Sequence, residues 1–490
     1  MNLDADICYR AIQTRDARFD GQFFTAVRTT KVYCRPLCPA PTPKRENCTF
    51  YVSAAAAQEA GYRPCLRCRP ELAPDLAAAL GPDGIVARML RLIADGTLDD
   101  DRIGVLARRL GVTERHLRRL CVTHLGAAPI AIAQTRRLLF AKQLIDETNL
   151  PLTEVALAAG FGSIRRFNAV FHATYGRPPS ALRRNRQIDT AHTVNSGITL
   201  KLPFSPPYHW DALIGFLAAR SMASVEDVRP DAYRRTIALA GAHGVIEVRP
   251  VAGQPYLLAT IWFGRIAVLD QIMQRLRRLF DLGAAPALIA NQLACDPLLA
   301  PLVAALPGLR VPGAWEPFEL AVRAILGQQI SVAGARTLAG RLVAAFGEPF
   351  ALDGVPAAAG LHRIFPTSQA LATADLTSIG LPRARATALR ALASAVSADP
   401  QFLHSGQNLD TFVERLCTLP GIGPWTAHYI ALRAVGEPDA FPATDLGLLR
   451  ALRRLGAADT TDDVIARAEA WRPWRAYAAL YLWHSLATLT

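Results

Sequence analysis

Apolar and polar positions follow different periods along the chain, and these periods divide it into predicted regions. Residues 1 to about 75 mix alternating segments, such as Phe23 to Val27, with loops rich in proline and cysteine. That mixture predicts a small α+β module. Residues 85 to 185 keep a helical period that glycine and proline interrupt, so short helices joined by tight turns are expected there.

The remainder of the chain is predicted to begin with strands and end in helices. Strand-like segments run from Ile198 to Leu202, Val245 to Val251 and Tyr256 to Phe263, and helical periodicity starts near Val268. We therefore expect a multidomain protein, mainly α with α+β parts. The expected parts are a small α+β domain at 1–80, a helical domain at 81–187, a polar linker at 188–195, an α+β lobe at 196–305 and a helical lobe at 306–490.

The length of the chain indicates how many domains it has, and its charge indicates which class of partner it binds. A chain of 490 residues is long enough for about three domains. The formal net charge is +13, and residues 81–190 carry 17 basic and 10 acidic side chains. A basic surface of this kind favours nucleic acid as the partner. The hydrophobic content of 51% excludes a disordered or collagen-like chain.

No targeting or membrane segment is recognisable in the sequence. The start, Met1 to Asp6, lacks the basic and apolar regions of a signal peptide, and no charge-free apolar run reaches the ~18 residues of a membrane helix. We expect a cytoplasmic protein, monomeric and without a membrane partner.

Four of the nine cysteines form two closely spaced pairs. Cys34 and Cys38 make a CxxxC pair, and Cys65 and Cys68 make a CxxC pair. Four thiolates fill the tetrahedral shell of Zn²⁺, so a zinc site is predicted. One interpretation is a purely structural zinc. The other is a reactive thiolate, because many arginines and lysines flank the pairs and zinc keeps thiolates ionised.

Cys48 lies outside the paired spacing and is interpreted as a small core residue rather than a ligand.

The runs FFTAVRTTKVYCRPLCPA and AGYRPCLRCRP resemble the N-terminal domain of the Ada adaptive-response family over residues 18 to 70. The resemblance implies that Cys34 accepts a methyl group irreversibly from a DNA methylphosphotriester. It also implies that Cys34, Cys38, Cys65 and Cys68 ligate the zinc.

The basic middle region contains two similar helix-turn-helix patterns. In the first, from Ile103 to Leu120, Gly111 makes the turn and Thr113 is expected to cap the second helix. The turn recurs 49 residues later at Gly160, and Ser163 takes the role of Thr113. Arginine on a helix is often only a solvated face. The candidate DNA-binding residues on the two capped helices are Arg115, Arg118, Arg165 and Arg166.

The segment FGSIRRFNAVFHATYGRPPSALRR resembles the end of AraC-family DNA-binding domains, and the resemblance covers about residues 85 to 185. It implies two recognition helices in successive major-groove segments, transcription activation, and RNA polymerase as a further partner. Non-specific tethering to DNA is the alternative.

The C-terminal lobe contains a helix-hairpin-helix pattern from Leu419 to Ala427. Gly421 and Gly423 would let backbone N–H groups approach a phosphate, although an ordinary turn between two helices fits the same residues. Asp445 follows at the start of a helix, where an aspartate is often only a cap.

The stretch LPGIGPWTAHYIALRAVGEPDAFPATDLGLLRALRRLG and the ending WRPWRAYAALYLWHSL resemble the AlkA class of 3-methyladenine DNA glycosylases over about residues 196 to 490. The resemblance implies an α+β lobe plus a helix-hairpin-helix glycosylase domain. It implies Asp445 as the catalytic carboxylate, and Trp425, Tyr429 and Trp483 as aromatic walls of the base pocket.

The segment from Ala324 to Ser331 matches the loop that this class inserts into the duplex. Here a polar Gln329 stands where the best-known member has an apolar residue, and Ile330 is the other candidate. Trp425 occupies the position at which lyase-competent relatives carry their Schiff-base lysine, so the predicted glycosylase is monofunctional.

We therefore expect a DNA alkylation repair and adaptive-response regulator that combines methyl transfer, transcription activation and excision of N-alkylated bases. The alternative function is a zinc-dependent transcription regulator whose C-terminal lobe is a catalytically inactive DNA-binding scaffold.

Overall fold

The computed structural model describes residues 3–74, 84–100, 103–183, 197–404, 406–457 and 460–488. These residues form two compact units, one of Met1–Pro206, Val251–Gln274 and Leu282–Ala284, the other of Pro207–Pro250, Arg275–Asp281 and Ala285–Thr490. The predicted boundary near residue 80 and the predicted linker at 188–195 lie outside the described residues. None of the described helices is both long and apolar enough to cross a membrane.

The N-terminal module is a small sheet with helices around it. Its elements are α1 (Ala5–Thr14), β1 (Phe24–Val27), β2 (Val32–Cys34), β3 (Cys48–Tyr51), α2 (Ala54–Glu59) and β4 (Arg63–Pro64). The strand order is β3-β1-β2-β4, and only β2 and β4 are parallel. Because Tyr33 is paired with Pro64 in this register, the two cysteine pairs leave neighbouring strands at the same end.

Residues 84 to 183 are helical, as the periodicity predicts. The helices are α3 (Ile85–Ala94), α4 (Thr97–Asp100), α5 (Ile103–Arg109), α6 (Glu114–Leu125), α7 (Pro129–Glu147), α8 (Leu152–Ala158), α9 (Ile164–Tyr175) and α10 (Pro179–Leu182). Thr113 caps α6 and Ser163 caps α9, each hydroxyl accepting a backbone N–H three residues further on. The buried face of α6 is largely aliphatic, whereas that of α9 is aromatic.

The N-terminal module packs directly on these helices. Ser53 caps α2 and also donates to the carbonyl oxygen of Leu125, the last residue of α6, at 2.7 Å. Arg69, one residue after the second cysteine pair, donates to Glu147 at the end of α7 at 2.8 Å. The cysteine module and the helix-turn-helix region therefore share an interface within the first unit.

The next segment contains the strands of the α+β part. Its elements are β5 (Ile198–Pro203), α11 (Trp210–Ala219), β6 (Glu226–Arg229), β7 (Ala232–Leu239), β8 (Ala242–Pro250), β9 (Tyr256–Phe263) and α12 (Leu269–Leu279). In the first unit β5 pairs antiparallel with β9, and in the second unit β6, β7 and β8 form an antiparallel meander. The predicted strands correspond to β5, β8 and β9. The prediction missed β6, β7 and α11.

The C-terminal lobe is helical apart from one two-residue strand pair. Its elements are α13 (Pro286–Leu293), α14 (Ala300–Ala305), α15 (Pro317–Leu326), α16 (Val332–Phe346), β10 (Glu348–Pro349), β11 (Arg363–Ile364), α17 (Ser368–Thr373), α18 (Arg383–Ala398), α19 (Leu409–Cys417), α20 (Pro424–Ala434), α21 (Leu446–Arg454), α22 (Thr461–Ala468) and α23 (Arg475–Thr488). A buried ion pair between Arg235 and Glu319, 2.6 Å long, joins β7 to α15.

Replacing Ser53 by alanine should weaken the interface between the cysteine module and α6. The change removes a helix cap and leaves the buried carbonyl of Leu125 without its hydroxyl donor, which together cost about 1–3 kcal/mol. Hydrogen exchange of the α2 amides in the full chain measures this loss. Ser163→Ala is the matched control, because Ser163 makes a similar cap at an exposed site. Equal losses of protection around the two sites would contradict the interface role.

Candidate functional site

Four cysteine sulfurs converge at the end of the N-terminal sheet. The sulfurs of Cys34, Cys38, Cys65 and Cys68 all lie within 4.8 Å of one another, and those of Cys38 and Cys65 are 4.0 Å apart. A tetrahedral ion with bonds of about 2.3 Å to sulfur requires sulfur atoms about 3.8 Å apart. The four side chains therefore fit a closed tetrahedral metal site. Cys48 is buried in the core beside Phe23 and is not part of this group.

The four thiols differ in exposure and in the hydrogen bonds they accept. Cys65 and Cys68 are buried, and they accept backbone N–H groups from Arg67 and Arg35. Cys34 and Cys38 are partly exposed, and Cys38 accepts a backbone hydrogen bond from Ala40. Among the described residues no backbone N–H donates to Cys34. Of the two partly exposed cysteines, Cys34 is thus the one whose sulfur accepts no backbone N–H group among the described residues.

The basic residues flanking the cysteines are not equally free. Arg35 is held by Asp20, with Nε 2.8 Å from a carboxylate oxygen, and it also contacts the carbonyl oxygen of Cys68. Arg69 is paired with Glu71 and Glu147. Arg28, Lys44 and Arg67 are exposed, so they are the side chains available to a phosphate.

The candidate arginines of the helix-turn-helix region all face solvent. Arg115 and Arg118 are exposed on α6, and Arg165 and Arg166 are exposed on α9. Within the described chain none of the four pairs with a carboxylate. Each helix thus presents two unneutralised guanidinium groups at its N-terminal half, the part of a recognition helix that reaches bases.

A cavity of about 630 Å³ lies in the second unit, a size that fits a small ligand. Trp425, Tyr429 and Trp483 line it, as do Asp445 and Ile330. Trp425 is stacked on Tyr429 with ring centroids 5.5 Å apart, and Trp483 is inclined to Tyr429 at 6.3 Å. The structure therefore brings the predicted pocket residues together around one space.

The carboxylate of Asp445 is held by donors on three segments. Its Oδ1 atom accepts the N–H groups of Leu448 and the Trp483 indole, and its Oδ2 atom accepts the indole N–H of Trp425, each at 2.9 Å. Asp445 is the N-cap of α21, so the cap and the pocket carboxylate are the same residue. Gly447 makes this packing possible, because a Cβ there would lie 2.8 Å from Oδ1.

Guanidinium groups lie behind the aromatic walls. Arg433 donates to the hydroxyl oxygen of Tyr429 at 2.9 Å and is anchored by the carbonyl oxygens of Pro312 and Gly313. Burial raises the pKa of Tyr429, but Arg433 and Arg220 outweigh it and the pKa lies below its usual value. Arg220 lies 3.6 Å from the ring centre of Phe216. Arg433 thus lies over the ring of Tyr429, and Arg220 lies over the ring of Phe216.

The predicted turn and insertion loop lie near the cavity. Gly421 has a φ of +75°, and a Cβ there would meet Ala388 at 2.9 Å, so its place is fixed by packing. Gly423 is exposed and caps α20. Gln329 is exposed with a φ of +57°, and Ile330 is exposed as well but also lines the cavity.

Comparison with known proteins assigns families to the successive parts of the chain. Four family models match successive parts of the chain: the metal binding domain of Ada at residues 7–71, a helix-turn-helix domain at 106–185, the AlkA N-terminal domain at 199–316 and the HhH-GPD superfamily base excision DNA repair protein at 322–476. The probable bifunctional transcriptional activator/DNA repair enzyme AlkA of Mycobacterium tuberculosis is 41% identical over 488 residues, covering 99% of this chain and 97% of that one. The chain belongs to this family of bifunctional transcriptional activators and DNA repair enzymes.

Two further relatives each match a part of the chain. DNA-3-methyladenine glycosylase 2 of Escherichia coli is 37% identical over 287 residues, which is 58% of this chain and 96% of the relative. The bifunctional transcriptional activator/DNA repair enzyme Ada of Escherichia coli is 35% identical over 159 residues, 32% of this chain and 43% of the relative. These matches confirm the resemblances to Ada, AraC-type and AlkA-type proteins.

The predicted fold class, a multidomain protein that is mainly α with α+β parts, is confirmed as well. A 3-methyladenine DNA-glycosylase from Archaeoglobus fulgidus has a similar fold, with a TM-score of 0.51 at 23% identity over 58% of this chain and 96% of that one.

Sequence reasoning missed several residues around the cavity. Phe216 and Arg220 come from α11, a helix whose short apolar sequence was not recognised. Arg433, to which the sequence analysis assigns no role, is buried behind Tyr429. His428 accepts the backbone N–H of Phe441 at 3.3 Å and so supports the segment that leads to Asp445. No sequence signal distinguishes these residues from ordinary helical positions.

Lowering the pH should destabilise the second unit through His428. Burial and the nearby Arg475 lower the pKa of His428 to about 4, against a smaller opposite effect of Asp410. The unfolded chain, with a histidine pKa near 6.5, binds more protons than the folded chain between these values. The contribution of His428 is therefore complete above about pH 6.5 and is lost towards pH 4, by about 3 kcal/mol.

Urea unfolding followed by tryptophan fluorescence measures this effect, because six of the seven tryptophans belong to the second unit. The difference between the parent chain and His428→Gln isolates the histidine from other titrating groups. A constant difference between pH 7 and pH 4 would show that His428 is not held neutral by the fold.

Proposed function

We propose that the chain repairs alkylated DNA and regulates the response to it, through methyl transfer to Cys34, transcription activation and excision of N-alkylated bases. The observation that carries the proposal is the pairing of two sites in one chain: a converging four-cysteine cluster and an aromatic cavity containing an anchored carboxylate. DNA is the partner that the helix-turn-helix and base-excision domains share.

Zinc is the metal that the four thiols suit best. Four sulfur ligands in a closed tetrahedral arrangement are typical of Zn²⁺ in proteins. When bound, zinc keeps the four sulfurs deprotonated at neutral pH without a separate base. The metal would also supply the stability that a module with so small a core lacks.

Cys34 is the proposed methyl acceptor because, of the two partly exposed cysteines, it is the one whose sulfur accepts no backbone N–H group among the described residues. Its Sγ attacks the methyl carbon of the phosphotriester, and the methyl C–O bond breaks with its electron pair remaining on the phosphate oxygen. The products are a thioether on Cys34 and a phosphodiester anion. The exposed Arg28, Lys44 and Arg67 flank the cysteine pairs in the sequence and are the proposed contacts to the phosphate.

Asp445 is the proposed catalytic carboxylate of base excision. As the bond between C1′ and the base nitrogen breaks, its electron pair goes to the base, and an N-alkylated cationic base leaves as a neutral molecule. The sugar gains positive charge, which the carboxylate stabilises while its three donors keep it in place. Water then adds to C1′ and releases a proton. The indole faces of Trp425 and Trp483 hold the cationic base.

Sequence-specific binding by α6 and α9 would direct the regulatory function. The four exposed arginines can contact bases and phosphates in two major-groove segments, and RNA polymerase would be the second partner of an activator. We propose that the protein acts as a monomer in the cytoplasm. The anchored carboxylate in the aromatic cavity argues against a C-terminal lobe that only binds DNA.

Cys34→Ser should abolish methyl uptake from DNA that contains methylphosphotriesters, because a serine hydroxyl stays protonated at neutral pH and is a poor nucleophile. Intact-protein mass spectrometry after incubation should show one added methyl group on the parent chain and none on this variant. Cys48→Ser is the matched control, since Cys48 is a buried thiol outside the cluster, and it should still gain the methyl group. Methylation of the Cys34→Ser chain would identify another acceptor.

Asp445→Asn should lower base excision at least a hundredfold while DNA affinity changes little, because the charge acts on the transition state. Asparagine is also a good helix cap, so α21 should remain capped. Release of 3-methyladenine from methylated duplex and the dissociation constant are the two measurements. Asp375→Asn, a change at an exposed cap elsewhere in the lobe, should retain the parent rate. A rate within tenfold of the parent chain would exclude Asp445 and favour the inactive-scaffold alternative.

A further inference from the structure

Gln328 joins three segments of the C-terminal lobe at the loop between α15 and α16. Its side-chain amide nitrogen donates to the carbonyl oxygen of Gly421 and to the hydroxyl oxygen of Thr426, both at 2.9 Å. Because a carbonyl oxygen can only accept, the nitrogen and not the oxygen of the amide must face Gly421. Both amide hydrogens are therefore used to hold the hairpin turn and the first turn of α20.

The backbone of the same residue is held by α18. Arg385 donates to the carbonyl oxygen of Gln328 at 2.7 Å. The hairpin turn rests on the same helix, because Gly421 packs against Ala388. The insertion loop, the hairpin turn and α18 thus form one connected frame with Gln328 at its centre.

The frame leaves the next residue projecting. Gln329 is exposed and in the left-handed region of backbone conformation, which a residue other than glycine adopts only when its neighbours fix the backbone. Ile330 is exposed as well, but its side chain would lie 3.6 Å from a Cβ at Gly334 and it lines the cavity. Gln329 and Ile330 together are therefore the tip that the frame presents, and Gln329 is the residue of the two that does not line the cavity.

We propose that Gln328 is a positioning residue for base extrusion, which fixes the inserted tip at a set distance from the phosphate-binding hairpin. The proposal rests on the proposed function of the lobe as a glycosylase. Extruding a paired base costs the free energy of unstacking and unpairing it. The tip of the loop must therefore displace the base while the hairpin binds the phosphate backbone of the DNA. Without the hydrogen bonds from Gln328, the insertion loop would move away from the DNA when its tip displaces the base, and less of the paired base would be extruded.

This role predicts a loss that depends on how the target base is paired. A base in a bubble of unpaired residues is already unstacked, so its excision needs no push from the loop. Gln328→Glu keeps the shape of the side chain but removes both donated hydrogens and places an anion against a carbonyl. Excision of 7-methylguanine from a fully paired duplex should fall about tenfold or more, and excision from a bubble by about twofold or less.

The experiment measures single-turnover release of 7-methylguanine from the two duplexes by the full-length protein. Gln328→Met, which has a similar length and no amide, provides a second variant without added charge. Gln369→Glu is the matched control, because Gln369 is exposed on α17 and its charge change should alter neither rate. Thermal unfolding of each variant reports whether the lobe remains folded.

Three outcomes are distinguishable. A selective loss on the paired duplex for both Gln328 variants supports the proposal. Equal losses on the two duplexes, or no loss on either, would overturn it and leave Gln328 with a packing role. If the parent chain itself releases no base from either duplex, the proposed glycosylase function fails first.

Discussion

The carboxylate of Asp445 is held by two indole N–H groups and one backbone N–H, and the geometry of the C-terminal site depends on this arrangement. The donors come from α20, α21 and α23, so these three helices must pack in one way for all three bonds to form. The same bonds fix the planes of Trp425 and Trp483 beside the cavity. One charged group thus orients both the pocket walls and the helix that it caps.

Four of the arginines that line the cavity share one kind of anchor. Arg220, Arg310, Arg323 and Arg433 are tied to carbonyl oxygens or carboxylates, as with Arg433 on Pro312 and Gly313 and Arg323 on Glu319. These four charges are therefore held by partners in the wall of the cavity, beside the two indoles of the proposed base pocket. Electrostatic preorganisation of this kind is effective because the groups need not move during the reaction.

The N-terminal module is stabilised in a different way, because its own hydrophobic core is small. Its sheet is too small to bury a large core, and its register brings two cysteine pairs to one end. Packing against α2, α6 and α7 adds the remaining support, through Ser53 and Arg69 among others. The four-cysteine cluster therefore lies at the end of a small sheet whose module is supported by the helices it packs on.

The sequence by itself determined the helices of the middle region, their caps at Thr113 and Ser163, and the types of residue that carry the chemistry, because caps and cysteine spacing act over a few residues. It also determined the family, through motifs that are local runs. Only the tertiary structure decided that Phe216 and Arg220 line the cavity, and that Gln328 of the predicted insertion loop bonds to the hairpin turn. Arg433 lies over the ring of Phe216, and Arg323 donates to the carbonyl oxygen of Arg220. These contacts join segments far apart along the chain, and no local pattern records which distant segments meet.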